Sequence, residues 1–271
     1  MSNPSSKTLH LTSLGSSFGA GIGIPPYTLK SARRSSKNYS SLLAAHFSPH
    51  IKHTDLTVSG ATLQNILDTP QVFFGNTFTP QIDGLNEDTD LLTITAGGND
   101  LGYIGGMMAD EVKESWLGWL MSFLLPATPK ATPMTSETLA DSFIAVLDAI
   151  HSRAPKARVI LVSYLTLLGS DVKSGRDTNL SPEKIEHFRG VAEVLNRAYK
   201  MAVEARKGKM EVELLDVAGR SIDHGLGSKE PWVEGFTMGS MWRGRPCHPN
   251  DVGHRAIADM LIERLAGEMG S

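Results

Sequence analysis

Residues 9–21 read LHLTSLGSSFGAG, and this segment carries the main sequence signal for the fold class. Its first half, residues 9–14, is a short apolar run with the pattern of a β-strand, and its second half is a glycine-rich turn that carries Ser16 and Ser17. In open parallel sheets, ligands bind beyond the carboxyl ends of the strands, where such turns lie. The segment therefore predicts both a fold class and the place where chemistry is expected.

Strand-like and helical runs alternate along the rest of the chain. The predicted strands are residues 9–14, 51–58, 90–95, 159–163 and 212–216. The predicted helices are residues 39–47, 61–67, 136–153, 181–207 and 249–266, with Ser136 as a candidate cap. This alternation implies parallel strands joined by right-handed crossovers. We therefore predict an α/β fold, a three-layer α/β/α sandwich with a five-stranded, mostly parallel sheet.

The composition is that of one ordinary globular domain. The chain has 271 residues, of which 41% are hydrophobic and 20% charged, and no Pro/Ser/Gly-rich linker divides it. The 26 basic and 29 acidic residues form no long basic run, which argues against a nucleic-acid or anionic-membrane surface as the main partner. We expect a single domain over residues 1–271. No oligomeric state follows from these numbers.

The number of cysteines and the length of the apolar segments exclude further classes of protein. Cys247 is the only cysteine, which excludes an intramolecular disulfide and a zinc site built on several thiolates. The apolar stretch 116–125 is shorter than the ~20 residues that span a bilayer, so we expect no stable membrane insertion. Residues 1–6 lack a secretory apolar core, which favours a cytoplasmic over a secreted protein.

Four chemically capable blocks follow predicted strands or precede the last helix. They are GSSFGAG at 15–21, VSGA at 58–61, AGGND at 96–100 and PCHPN at 246–250. A serine on a glycine-flanked turn can present a nucleophilic hydroxyl, and a glycine lets a backbone N–H approach a ligand closely. An asparagine amide is a neutral donor for an oxyanion, and a histidine at a helix start can serve as a general base.

This order of a Gly-x-Ser turn, a lone glycine, a Gly-x-Asn-Asp and a C-terminal His-Pro resembles the SGNH, or GDSL-type, hydrolase family. The resemblance extends from the first strand to the last helix. It implies a flavodoxin-like SGNH hydrolase fold and a serine esterase or lipase that needs no cofactor or metal and acts on a small-molecule ester or lipid. By position, Ser17 is similar to the nucleophile and His248 to the general base. The N–H groups of Ser17 and Gly60 and the amide of Asn99 resemble the oxyanion hole.

Two positions depart from the family pattern. Ser16 stands where the family commonly has an aspartate, and Arg245 stands where an aspartate usually precedes the histidine. Because an arginine cannot accept the imidazole N–H, either a backbone carbonyl near Arg245 orients His248, giving a Ser–His dyad, or a distant acid does. We favour the carbonyl, since one hydrogen bond fixes the tautomer. The candidate acids are Asp216, Asp223 and Asp251.

Other residues of these blocks have structural interpretations. His254 falls on the same side of the last helix as Leu261 and Leu265, so we predict a buried, hydrogen-bonded core histidine. A metal site built on His248 and His254 lacks a recognised ligand spacing. Asn99 and its neighbour Asp100 could also cap the segment that follows them.

An apolar insert over about residues 101–133 is the most distinctive part of the chain. It is either a helix that packs on the core, or a lid or acyl-chain pocket beside the site. In the second case Trp116, Trp119 and Phe123 contact an apolar acyl or alcohol part of the substrate.

Two alternatives to an esterase remain open at this point. The same fold and residues serve carbohydrate deacetylases and acyltransferases. The substitutions at Ser16 and Arg245 also permit a catalytically weak binding protein on an SGNH scaffold.

Overall fold

A five-stranded parallel sheet forms the centre of the protein. The structure is a computed structural model, and it describes residues 8–115 and 134–269. The strands are β1 (Leu9–Gly15), β2 (Tyr27–Leu29), β3 (Arg34–Ser35), β4 (Ile51–Asp55), β5 (Gln71–Phe73), β6 (Asn76–Phe78), β7 (Leu91–Thr95), β8 (Arg158–Val162) and β9 (Val212–Leu215). The central sheet has the order β4-β1-β7-β8-β9, and every neighbouring pair is parallel. The predicted α/β class and five-stranded sheet are confirmed.

Helices connect the strands. They are α1 (Ser17–Ala20), α2 (Tyr39–His46), α3 (Leu63–Leu67), α4 (Tyr103–Glu114), α5 (Ser136–Arg153), α6 (Pro182–Arg206), α7 (Val217–Arg220), α8 (Met238–Arg243) and α9 (Asp251–Met269). Asn38, Thr135 and Ser181 each accept a backbone N–H three residues further on, so these helices begin at polar caps. The cap of α5 is therefore Thr135, and not Ser136 as the sequence suggested.

The strand order places the helices on the two faces of the sheet. From β1 the chain moves outward to β4, and all later strands are added in the opposite direction. With right-handed crossovers, α2 lies on one face and α3, α5 and α6 lie on the other. The packing of α2 against α9, and of α5 against α3 and α6, agrees with this division. The direction reverses between β1 and β7, and ligands bind at such switch points.

The middle of the sheet is covered on both faces. All five residues of β7 are buried, as expected for a strand between two helical layers. From α6, the hydroxyl of Tyr199 accepts the N–H of Ala96 at 3.2 Å and donates to the carbonyl of Ala96 at 2.6 Å. This side chain therefore completes the backbone pairing of the residue after β7.

Several boundaries and elements differ from the predictions. The predicted strand 51–58 ends at Asp55. The predicted helix 61–67 begins at Leu63, because Thr62 and Asn65 form a reciprocal capping box. The hairpins β2–β3 and β5–β6 were not predicted, since each strand has only two or three residues.

The first half of the predicted insert is a helix that packs on the core. Helix α4 contacts α6, and the rings of Tyr103 and Phe188 lie 6.4 Å apart. Trp116, Trp119 and Phe123 lie outside the described residues, so their predicted substrate role stays a prediction. Within residues 8–115 and 134–269, no helix is long and apolar enough to cross a membrane.

Tyr199→Phe tests how much the Tyr199 hydroxyl, which binds both backbone groups of Ala96, contributes to stability. The substitution leaves a buried N–H and a buried carbonyl of Ala96 without a partner, which is expected to lower the free energy of unfolding by about 2–4 kcal/mol. Urea titration measures the change. Tyr27→Phe is the control, because Tyr27 is half-buried in the small hairpin; equal stability losses in the two variants contradict the prediction.

Candidate active site

Strand β1 ends in a glycine that no other residue can replace. Gly15 has a φ of 138°, and a Cβ at this position would overlap the carbonyl oxygen of Thr95. The amide of Gln81 pairs with both backbone groups of Gly15, accepting its N–H at 2.8 Å and donating to its carbonyl at 2.9 Å. The chain is thereby held just before Ser17, the first residue of α1.

A tyrosine from another strand end holds the residues on either side of Ser17. The hydroxyl of Ser16 lies 2.9 Å from the phenol oxygen of Tyr164. The Tyr164 ring stacks on Phe18, with centroids 3.9 Å apart. Ser16 is fully buried, so this hydroxyl pair occupies a site where the family pattern would place an aspartate.

His248 connects Ser17 to a backbone carbonyl. Its Nε2 lies 2.8 Å from Ser17 Oγ, and its Nδ1 lies 2.7 Å from the carbonyl oxygen of Pro246. A carbonyl only accepts, so Nδ1 carries the proton and Nε2 offers its lone pair to the serine hydroxyl. This geometry agrees with the favoured backbone-carbonyl alternative.

The three carboxylates considered in its place lie elsewhere. Asp216 accepts the N–H of Gly219 and caps α7. Asp223 is exposed on the turn that follows α7. Asp251 accepts a hydrogen bond of 3.1 Å from Arg245.

Arg245 supports the loop of His248 and has no role as an acceptor. Its guanidinium is largely buried and pairs with Glu234 at 2.7 Å and with Asp251 at 3.1 Å. Glu234 in turn bonds to the same loop through its backbone, since it donates to the carbonyl of His248 at 2.8 Å and accepts the N–H of Cys247 at 3.0 Å. The ion pairs thus fix the loop that carries the imidazole.

The candidate oxyanion donors lie at three strand ends. Gly60 has a φ of 81°, a conformation that favours glycine. Within the part of the chain that the structure describes, the N–H groups of Ser17 and Gly60 have no protein acceptor. One hydrogen of the Asn99 amide is donated to the carbonyl of Ala61 at 2.8 Å. This bond holds the amide beside Gly60 and leaves its second hydrogen for a ligand.

Asp100 has a structural role at the start of α3, and does not cap the segment that follows it. Its carboxylate accepts the N–H of Leu63, the first residue of α3, at 3.1 Å and 3.2 Å. Burial nevertheless raises its pKa, more than this hydrogen bond lowers it. Asp100 therefore ties the turn after β7 to the segment that carries Gly60.

Comparison with known proteins shows the family of the chain. The sequence model of the GDSL-like lipase/acylhydrolase family matches residues 13–256. The chain belongs to this family. It is similar to a lipase from Streptomyces rimosus, with 29% identity over 88% of this chain and 81% of the relative. It is also similar to Lipase 2 from Streptomyces coelicolor, with 28% identity over 95% of this chain and 86% of that relative.

Solved structures share the fold. A phospholipase A1 from Streptomyces albidoflavus has a TM-score of 0.70 and 21% identity, over 94% of this chain and 99% of that chain. The extracellular lipase from Streptomyces rimosus has a TM-score of 0.68 and 23% identity over the same shares. The predicted SGNH hydrolase fold is therefore confirmed, and the GDSL-like family places the chain among carboxylic ester hydrolases.

His254 is a core histidine, as its helical position predicted. It is fully buried, and its Nδ1 accepts the N–H of Tyr39 at 3.2 Å. No cluster of three or more possible metal-ligating side chains occurs in residues 8–115 and 134–269.

Burial keeps His248 neutral. Desolvation lowers the pKa of His248 from its ordinary 6.5 to about 4, although the bond to Pro246 acts in the opposite direction. At neutral pH the imidazole is therefore unprotonated and Nε2 can accept the Ser17 proton. Among the described residues, the imidazole of His248 contacts the Pro246 carbonyl and the Ser17 hydroxyl, and no carboxylate is its hydrogen-bond partner.

A cavity of about 340 Å³ lies beside this site. Tyr164, whose ring stacks on Phe18, forms part of its wall. Its apolar lining comes from the loop after β8, from α6 and from the region after α7, and includes Leu165, Leu167, Leu168, Ala192, Leu195 and Ile222. The sequence pattern did not indicate this cavity, because its walls come from separate parts of the chain.

Buried neutral histidines make the stability depend on pH. Burial lowers the pKa of His248 from 6.5 to about 4 and that of His254 from 6.5 to about 3. In this range the unfolded chain binds more protons, so stability is full above 6.5 and falls as the pH is lowered toward 4. The expected slope approaches about 1.4 kcal/mol per pH unit for each histidine.

Guanidinium unfolding at several pH values measures this slope. His254→Gln is expected to reduce the slope of stability against pH by the contribution of one histidine, up to about 1.4 kcal/mol per pH unit. His46→Gln serves as the control, because His46 is exposed at the end of α2. Equal slopes in wild type and His254→Gln contradict the assignment.

Proposed function

We propose that the chain is a serine esterase that works through an acyl-enzyme on Ser17. The observation that carries the proposal is the 2.8 Å contact between Ser17 Oγ and His248 Nε2, with Nδ1–H donated to Pro246. A nucleophile within hydrogen-bond distance of a base, which a third group orients, is the arrangement that acyl transfer requires.

The proposed reaction has two halves. His248 accepts the hydroxyl proton of Ser17 as Oγ attacks the ester carbonyl, and the imidazolium then protonates the departing alcohol. Water, deprotonated by the same imidazole, then attacks the acyl-enzyme, and the imidazolium returns the proton to Ser17 Oγ as the acyl–oxygen bond breaks and the acid leaves. During both halves the oxyanion accepts hydrogen bonds from the N–H groups of Ser17 and Gly60 and from the Asn99 amide.

The two substitutions in the family pattern have structural replacements that favour an enzyme over a binding protein. The Ser16–Tyr164 hydroxyl pair steadies the nucleophile turn, and the Pro246 carbonyl fixes the imidazole tautomer. A carbonyl dipole stabilises the imidazolium less than a carboxylate charge does. We therefore infer a working dyad that is slower than a full triad.

The proposed substrate has an apolar acyl part. Two observations support this: the sequence relatives are named lipases, and the cavity behind Tyr164 is mainly apolar. Ligand cavities of small molecules have volumes of about 300–1,000 Å³, so 340 Å³ is enough for part of an acyl chain. Tyr164 lines the cavity and stacks on Phe18, the residue after Ser17, so the cavity adjoins the turn that carries the nucleophile.

A serine-directed phosphonate tests the chemistry. The native chain is expected to gain the mass of one phosphonyl group and lose ester turnover, whereas Ser17→Ala neither reacts nor hydrolyses p-nitrophenyl esters, with a loss of at least about 10³-fold. Ser142→Ala, on the exposed side of α5, is the matched control and retains both properties. An unlabelled native chain without ester turnover would falsify the proposal.

Filling the cavity tests the substrate class. Ala192→Trp places an indole in the cavity and is expected to lower kcat/KM for an octanoyl ester by about tenfold or more, with a smaller effect on the acetyl ester. Ala205→Trp, exposed further along α6, is the control. A parallel loss on both esters, or no loss on either, counts against an acyl-binding role of the cavity.

A further inference from the structure

Exposed apolar side chains are concentrated on three segments of the surface. Among the described residues, eight large hydrophobic side chains are exposed, and six of them lie on residues 29–33, 72–74 and 238–243. They are Leu29, Val72, Phe74, Met238, Met241 and Trp242. Trp242 is 86% exposed and Phe74 is 75% exposed. We call these three segments the apolar rim. A contiguous patch of this kind marks an interaction surface.

Arg33 joins the three segments. Its guanidinium lies over the ring of Phe74, 5.5 Å from the centroid. Its Nη1 also lies 3.8 Å from the point that a Cβ would occupy if Gly244 had one. Gly244 is the residue that ends α8. The turn 29–33 therefore lies between the hairpin tip and the helix that carries Trp242.

The apolar rim adjoins the candidate active site on the side of Gly60 and His248. The ring of Phe73 lies 3.5 Å from the point that a Cβ would occupy if Gly60 had one. The N–H of Ser59 donates to the carbonyl of Ala32 at 3.1 Å. At the other end, Gly244 is followed after three residues by His248.

The charge of the apolar rim differs from that of the whole chain. The three segments contain Lys30, Arg33 and Arg243 and no acidic residue, whereas the chain has 26 basic and 29 acidic residues. Arg243 pairs with Glu234 at 3.4 Å. In the described part of the chain, Lys30 and Arg33 form no salt bridge. The rim thus combines exposed aromatic side chains with positive charge.

We propose that the apolar rim docks the enzyme on an anionic lipid surface. Phe74 and Trp242 enter the boundary between headgroups and acyl chains, and Lys30 and Arg33 contact the phosphates. The position beside Gly60 and His248 rests on the proposed function, because it delivers an ester from the surface to Ser17.

A second copy of the chain fits this patch less well. A symmetric dimer through the rim places two patches of net positive charge against each other, and like charges across an interface oppose association. A lipid surface supplies the opposite charge. Loop tips and a short helix can also enter a soft boundary without a complementary shape.

Vesicle flotation tests the proposal. The probes are vesicles of phosphatidylcholine and phosphatidylglycerol in equal parts, and vesicles of phosphatidylcholine alone. Binding is measured on the full chain carrying Ser17→Ala, so that lipid hydrolysis does not interfere. The rim variant is Phe74→Ser with Trp242→Ser. The matched control is Val252→Ser, an exposed apolar side chain outside the rim and outside the lining of the 340 Å³ cavity.

The mixed vesicles are expected to bind the Ser17→Ala chain and its Val252→Ser control equally. The rim variant is expected to bind at least about tenfold more weakly, and Lys30→Gln and Arg33→Gln about fivefold more weakly each. Phosphatidylcholine alone binds weakly. Unchanged binding by the rim variant, equal losses in the control, or equal binding to both vesicles overturns the proposal. So does a dimer in sedimentation that the rim substitutions dissociate.

Turnover separates this proposal from the proposed function. With Ser17 intact, the rim variant keeps hydrolysis of soluble p-nitrophenyl acetate and loses hydrolysis of an ester embedded in the mixed vesicles. A wild-type chain that binds these vesicles but hydrolyses no ester refutes the esterase and leaves the docking surface standing. A chain that hydrolyses the acetate but binds no vesicle refutes the docking surface alone.

Discussion

The close contact between the end of β1 and β7 is the constraint on which the site depends. Because Gly15 has no side chain, its backbone can lie against the carbonyl of Thr95, which also accepts the N–H of Ser16 at 3.0 Å. The carbonyl of Gly15 in turn accepts the N–H of Val58 at 3.1 Å. Three strand ends are thus joined within one hydrogen-bonded group, so the segments that carry Ser17, Gly60 and Asn99 keep a fixed relation. Any side chain at position 15 disturbs all of them together.

The charges around His248 hold its position and leave its protonation to burial. Arg245 forms ion pairs with both Glu234 and Asp251, and none of these three side chains is a partner of the imidazole. A carboxylate on Nδ1 would favour the charged imidazole and raise its pKa. With a neutral carbonyl there, desolvation dominates and the imidazole stays neutral at rest. The site therefore obtains a well-oriented base at the expense of strong imidazolium stabilisation.

Local patterns predicted most of the fold, and the order of the blocks predicted the site residues. Periodicity located the five central strands and placed His254 in the core, because burial repeats with the helical period. The Ser17–His248 contact followed from the family resemblance. Gln81 and Tyr164 were missed: they act on Gly15 and Ser16 across 66 and 148 residues, and no local pattern encodes such a contact. Ser16 replaces the aspartate of the family pattern, so a side chain with a hydroxyl at another strand end was a possible partner. Tyr164, after β8, is such a side chain. The hairpin tip with Phe74 was missed because two- and three-residue strands have no periodicity.

Tyr164 belongs to two structures at once, since its hydroxyl holds Ser16 while its ring forms part of the cavity wall. Leu168, Ala192 and Ile222 also line the cavity, and their apolar side chains form no hydrogen bond to the nucleophile turn. Evolution can therefore vary these three residues and reshape the cavity while the turn stays intact. Tyr164 has no such freedom, because a substitution that suits a new ligand also removes the partner of Ser16. Divergence of ligand preference among descendants of this sequence is thus expected to run through residues of the loop and of α6, with the phenol retained.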